Sequence, residues 1–416
     1  MKFEFINNAC GIFFGSNGTK ILCDPWIEDG VFEGSWFHYP PLKTKLEDIQ
    51  DVDAIYLSHI HPDHYDERNF NFSTKIPIIL LNHGANFLKK NLQKKGYNNF
   101  IEIKDDETVN FREFELTAYK CFTSHPFEES ALGNLIDSSL VIQNLDTVAI
   151  NFNDNVPDEK ACIKLKNKFK KIDLAMINYN AAGPYPSCFD NLDINQKKEE
   201  HLKIINRNFN HLCKVLPFLK PKSVMPFAGS YVIGGKNYEK NDYLATATWD
   251  QCADYLKKNL SINTKVFCLN ENQVFDIKNQ KTLAKYERID TEEMEKYIFS
   301  LKNRKYVYEH SEMPDEQDLL KDINIAKKKF LERSKKFNTT FKTNVFLNVG
   351  NKKINIFKGT DSNRELVCSM DNRLLRRILD RKSHWNNSEI GTHINFKRSP
   401  NIMDPDIHTI LSFFHL

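Results

Sequence analysis

The sequence predicts an α/β protein with a smaller α+β unit at its C-terminal end. Short apolar runs such as "DAIYL", "IPIILL" and "IDLAMIN" have the length and composition of strands buried on both faces. They alternate with helix-patterned segments, the order of a layered α/β domain. Near residue 290 the texture changes to charged helices and one hairpin, so 1–285 and 300–416 read as separate units.

The elements follow in order. "KFEF" alternates, and "CGIFF" and "KILCD" flank "GSNG", a hairpin turn signal. Residues 27–42 are irregular and rich in aromatics, Gly and Pro. "DAIYL" and "IPIILL" are buried strands, and "ANFLKKNLQKKG" has helical spacing with a stop at Gly96. "FREFELTAYKC" alternates, "SSLVIQ" and "TVAINF" form a hairpin, and "IDLAMIN" and "SVMPF" are strands on either side of a long helix over about 195–217. In the C-terminal unit "EEMEKYIF", "DEQDLLKDINIAKKKFLERSKKF" and "NRLLRRILDRK" read as helices, and "TNVFLNV" pairs with "KINIFKG" around "GNK".

Composition narrows the function. With 416 residues, 41% hydrophobic content and a formal charge of +3, the chain has ample core but no strong field to attract nucleic acid or anionic membrane. Basic runs such as "KNKFKK" read as solvated helix faces. No apolar run approaches the ~18 residues of a membrane span. The start, "MKFEFINNACG", lacks the features of a secretory signal. Nine cysteines without a C-x-x-C pair read as reduced thiols, so the expectation is a cytoplasmic protein.

The chemistry is concentrated in "IYLSHIHPDHYD", which sets His59, His61, Asp63 and His64 within six positions in a chain of only 13 histidines. After a strand, alternate side chains point the same way, so His59 and His61 can converge on one ion. Asp63 and His64 can face a second. Imidazole and carboxylate without thiolate suit Zn, Fe, Mn or Ni, and a carboxylate at a loop mouth favours an open catalytic site over a closed structural one.

In "HIHPDH" the chain resembles the metallo-β-lactamase superfamily through its H-x-H-x-D-H motif. That resemblance implies an αβ/βα sandwich with a dinuclear metal site along one edge. It also implies a third histidine, His125 in "FTSHPFEES", a bridging carboxylate, Asp154 in "AINFNDN", and Asp24 in "ILCDPW" steadying the metal loop. "DPW", "GSWFHYPP", "SHIHPDH", "SHP", "MPFAGSYV" and the tail "EIGTHINFKRSPNIMDPDIHTILSFFHL" are similar, in order and spacing, to the CMP-N-acetylneuraminate hydroxylases and their bacterial relatives. Those enzymes hydroxylate a nucleotide-linked amino sugar with iron and O₂ and carry an N-terminal Rieske domain.

Two departures shape the expectation. No C-x-H or C-x-x-H pair of Rieske type occurs in this sequence, so oxygen activation would draw electrons from a separate ferredoxin or reductase. The resemblance implies a closing histidine shortly after "PFAG", and none lies between His211 and His310, so the second metal position is expected to be the weaker. Asn180, Tyr231 or Asp242 could take that place.

The functional expectation is therefore an iron-dependent oxygenase acting on a small molecule, an amino sugar or nucleotide sugar. It would hold at most two divalent ions, iron first, with zinc or manganese as alternatives. The alternative is a hydrolase of a phosphodiester, amide or lactone, in which Asp63 orients a metal-activated hydroxide or takes its proton. A binding module that keeps a metal for structure alone is the remaining reading. Trp36, Asn180 and Tyr231 are expected on the substrate wall. Neither nucleic acid nor membrane is an expected partner.

Overall fold

The computed structural model describes residues 1–84, 86–122, 137–282, 284–336 and 340–416. Among them one sheet has eight strands, in the spatial order Lys281–Thr282, Gln273–Asp276, Lys2–Phe5, Gly11–Phe14, Lys20–Cys23, Ala54–Tyr56, Ile78–Leu81 and Phe100–Ile103. A second has seven: Lys265–Val266, Ser223–Pro226, Leu174–Ile177, Thr147–Asn151, Ser138–Asn144, Phe114–Lys120 and Thr108–Phe111. The last four strands of the first sheet are parallel, as are the first four of the second.

Side-chain alternation along the strands builds the layers. Ala54 and Tyr56 join Leu140, Leu174 and Met176 in the core between the sheets. Ile55, between them in sequence, packs outward with Leu88 and Leu92 of the helix Phe87–Lys94. On the far side, Ile150, Ala175 and Val224 are covered by Leu165, Leu212 and Leu256. These come from the helices Glu159–Phe169, Ile194–Leu219 and Trp249–Asn259. The result is helix, sheet, sheet, helix. Each buried Leu, Ile or Phe contributes about 1.5–3 kcal/mol, so the layers hold without help from the loops at their edges.

A four-stranded sheet follows, in the order Lys352–Phe357, Asn344–Val349, Glu365–Ser369, Asn395–Ser399. The helices Glu316–Ser334 and Asn372–Leu379 cover it, and its core also takes Cys188 and Phe189 from the larger unit. No helix among the described residues is long and apolar enough to cross a membrane.

Candidate metal centre

The parallel strands of both sheets end on one edge of the sandwich, where ligand sites of open α/β sheets form. Asp24 follows Lys20–Cys23, the His59–His64 loop follows Ala54–Tyr56, and Asp154 follows Thr147–Asn151. The Ser138–Asn144 strand runs back antiparallel to Thr147–Asn151, so Asp137, just before it, emerges on the same edge as Asp154. Asn153 takes the left-handed conformation at φ 48°, which an Asn tolerates, immediately before Asp154.

The histidine loop is fixed from beneath. The Ser58 backbone N–H donates to Asp24 Oδ1 at 2.7 Å, and Ser138 Oγ donates to the Ser58 carbonyl at 2.7 Å. Ser58 Oγ lies 2.9 Å from His59 Nδ1, and Asp24 Oδ2 lies 3.1 Å from His64 Nδ1. Each imidazole is thus held at one nitrogen and presents the other, the usual way a ligand ring is oriented.

The presented atoms converge. His59 Nε2 is 2.9 Å from His61 Nδ1, 3.7 Å from Asp137 Oδ1 and 3.9 Å from Asp154 Oδ2. His64 Nε2 is 3.5 Å from Asp63 Oδ2 and 3.6 Å from Asp154 Oδ2. Two groups with metal-ligand spacing result, His59–His61–Asp137 and His59–His64–Asp154. Ligands on bonds of about 2.1 Å are separated by roughly 3–4 Å across one ion, which these distances match.

Electrostatics also calls for a cation. Burial pushes the pKa values of His59 and His61 below the ordinary range, leaving them neutral, the form that binds metal. Burial pushes the Asp63 carboxyl up to about 7. At His64 burial pulls down, but Asp63, Asp24 and Asp154 outweigh it and raise the imidazole. At Asp154 burial works upward, yet the neighbouring imidazoles, His64 first, hold it below the usual carboxylate range. His64 Nε2 is buried and makes no hydrogen bond among the described residues. Its two carboxylate neighbours stand too far for one. A bare ring nitrogen facing two carboxylates is a site that a divalent ion completes, so these residues fit a metal.

Of the ligands expected from sequence, His59, His61, Asp63, His64 and Asp154 come together here, and His125 lies outside the described residues. Asp137 went unread because "NLIDSSLV" carries no motif; the signal was the hairpin, which returns its first residue to the edge its last one leaves. The expected substrate wall has other partners. Trp36 stacks on Tyr231 with ring centroids 3.4 Å apart and packs with Trp26, Phe32 and Ile390. Asn180 donates to the carbonyls of Gly229 and Ala247 at 2.8 Å and accepts from the Ala247 N–H at 2.8 Å, so its amide locks loops together. Asp242 is exposed. The Tyr231 hydroxyl is buried without a hydrogen bond among the described residues, and burial first, then Asp63, raises its pKa and keeps it protonated.

Comparison with known proteins agrees with this geometry. Residues 19–205 match the Beta-lactamase superfamily domain, a stretch that includes every residue of the centre. The larger unit has the metallo-β-lactamase fold. A protein of Mycolicibacterium smegmatis described as a Rieske 2Fe-2S iron-sulfur protein is 31% identical over 185 residues, 43% of this chain and 34% of that one. The cytidine monophosphate-N-acetylneuraminic acid hydroxylase of Danio rerio is 22% identical over 242 residues, 55% of this chain and 38% of that one. The matched stretches span little more than a third of these relatives. Among solved structures, CmlA, a diiron β-hydroxylase from Streptomyces venezuelae, is similar at 15% identity and a TM-score of 0.47, covering 66% of this chain and 53% of that one. A structure from Veillonella parvula described as a metal-dependent hydrolase and an isothiocyanate hydrolase from Delia radicum gut bacteria stand at the same level of likeness, with TM-scores of 0.47 and 0.45.

Proposed function

We propose that this edge holds two divalent ions and that the chain is the metal-bearing part of an oxygenase that hydroxylates a nucleotide-linked amino sugar. The observation that carries the reading is the ligand set. Three imidazoles stand beside the carboxylates of Asp63, Asp137 and Asp154, with no thiolate. Such a mixed nitrogen and oxygen set suits iron as well as zinc or manganese. The names of the relatives, a Rieske protein and a hydroxylase of a CMP-sugar, support an oxidative role.

His59, His61 and Asp137, with His125 as a further candidate, would hold the first ion. Asp63, His64 and Asp154 would hold the second, with Asp154 between the two. More nitrogen ligands on the first position make it the tighter one. Bound there, the metals would supply activation of O₂ or of water. The protein's own part is to keep His59 and His61 unprotonated by burial and to hold both loops rigid through Ser58 and Asp24. Without metal the Asp63 carboxyl lies near 7, so near neutral pH it gives up its proton readily as it takes its place on the second ion.

Hydroxylation of a C–H bond by O₂ consumes two electrons and two protons and releases the second oxygen atom as water. Turnover therefore requires a reductant, for which a ferredoxin or reductase is the proposed partner. The second reading is hydrolysis, which the same nitrogen and oxygen ligand set would serve by activating water. One assay separates them: O₂ uptake with a CMP-linked amino sugar, a ferredoxin and its reductase. The oxygenase reading expects substrate-dependent O₂ uptake that His61→Ala abolishes. Substrate cleavage without O₂ or reductant would transfer the assignment to the hydrolase.

A further inference from the structure

The histidine loop touches the C-terminal unit through His61, whose Nε2 lies 3.1 Å from Asn386 Oδ1. Asn386 is in the first turn of the helix Trp385–Ile390. An amide oxygen has no proton to give, so His61 Nε2 carries the hydrogen and donates it. The lone pair is then on Nδ1, the atom 2.9 Å from His59 Nε2. Asn386 therefore selects the tautomer and the ring pose in which His61 can bind a metal beside His59.

The helix is well placed to do this because its surroundings are tied to the larger unit. Trp36 Nε1–H donates to the Ile390 carbonyl at 3.3 Å. His393 Nε2–H donates to the Phe32 carbonyl at 2.8 Å, and Asn237 Nδ2–H donates to the Thr392 carbonyl at 2.8 Å. Ile390 packs into the same aromatic cluster as Trp36 and Tyr231. A shift of the C-terminal unit would be felt at the His61 ring.

We propose that Asn386 is the positioning residue for His61, and that through it the C-terminal unit sets the metal affinity of the larger one. The proposal rests on the reading of this edge as a metal centre. Coupling of this kind is reciprocal, so a metal held by His61 must in turn steady the 384–396 segment.

The test is a Zn²⁺ titration of the full chain as wild type, Asn386→Ala and Asn386→Asp, with amide hydrogen exchange over 384–396 read with and without Zn²⁺. Loss of such an outer partner costs about 10–100-fold in metal affinity, and that loss is expected for the tighter Zn²⁺ of Asn386→Ala. Asn386→Asp keeps an acceptor and is expected to restore affinity. Zn²⁺ should slow exchange over 384–396 in wild type and in Asn386→Asp only. Unchanged affinity in Asn386→Ala overturns the proposal, as does equal weakening in both variants. Should Asn386→Ala not fold, absence of slowing in the wild type overturns it. A wild type that binds no Zn²⁺ instead removes the metal centre itself, and the earlier reading fails with it.

Discussion

Burial first, with the neighbouring imidazoles adding to it, keeps His59 and His61 neutral, whereas Asp63 and His64 hold a proton. The Asp63 carboxyl is pushed up to about 7, and the His64 imidazole is raised by the carboxylates of Asp63, Asp24 and Asp154 against the pull of burial. Both groups hold a proton in the metal-free centre below neutrality, and both must lose it to act as ligands. Metal loading at about pH 6 is therefore expected to expel protons. Affinity at the second position should rise across roughly pH 6 to 8 as the Asp63 proton leaves without competition, and go on rising at higher pH as His64 gives up its own. Calorimetric titration in buffers of different ionisation enthalpy measures the protons released. A binding enthalpy independent of buffer at pH 6 would contradict the assignment of Asp63 and His64 as ligands.

The irregular stretch after Trp26 is where the sequence reading and the structure part most clearly. Its aromatics read as a substrate wall; Trp36 is instead 1% exposed, stacked on Tyr231 and bonded to Ile390. Trp36→Ala should cost about 3–5 kcal/mol, the range for emptying such a site, and free the C-terminal helix from its seat. Chemical denaturation measures it; unchanged stability with a raised KM would restore the substrate wall. The strands "DAIYL", "IPIILL" and "IDLAMIN" were legible because burial on both faces writes itself into composition. The histidine loop was legible because its ligands are neighbours in sequence. Asp137 and Asn386 were not, because each meets the centre through pairing or packing across the chain, 78 residues from His59 in one case and 325 from His61 in the other. The strand Gln273–Asp276, which pairs with Lys2–Phe5, is hidden for the same reason. The helix Trp249–Asn259 went unread, although Trp249, Cys252, Ala253 and Leu256 recur at helical spacing behind a Thr248–Gln251 capping box.

For the whole molecule, the sandwich presents the ends of its parallel strands on one edge, and the C-terminal unit leans a helix against that edge. The larger unit supplies every candidate ligand identified, and the smaller one supplies the acceptor that orients His61. Fold and substrate are separable questions in such an arrangement; the metal centre is the claim on which both proposed chemistries depend. Anomalous diffraction from crystals of the chain loaded with Zn²⁺ or Fe²⁺ tests it most directly. The expected result is a peak within about 2.0–2.2 Å of His59 Nε2 and His61 Nδ1, with a second, weaker peak between His64, Asp63 and Asp154. Crystals soaked to saturation that show no peak at His59 and His61, or show metal only elsewhere on the surface, would contradict it.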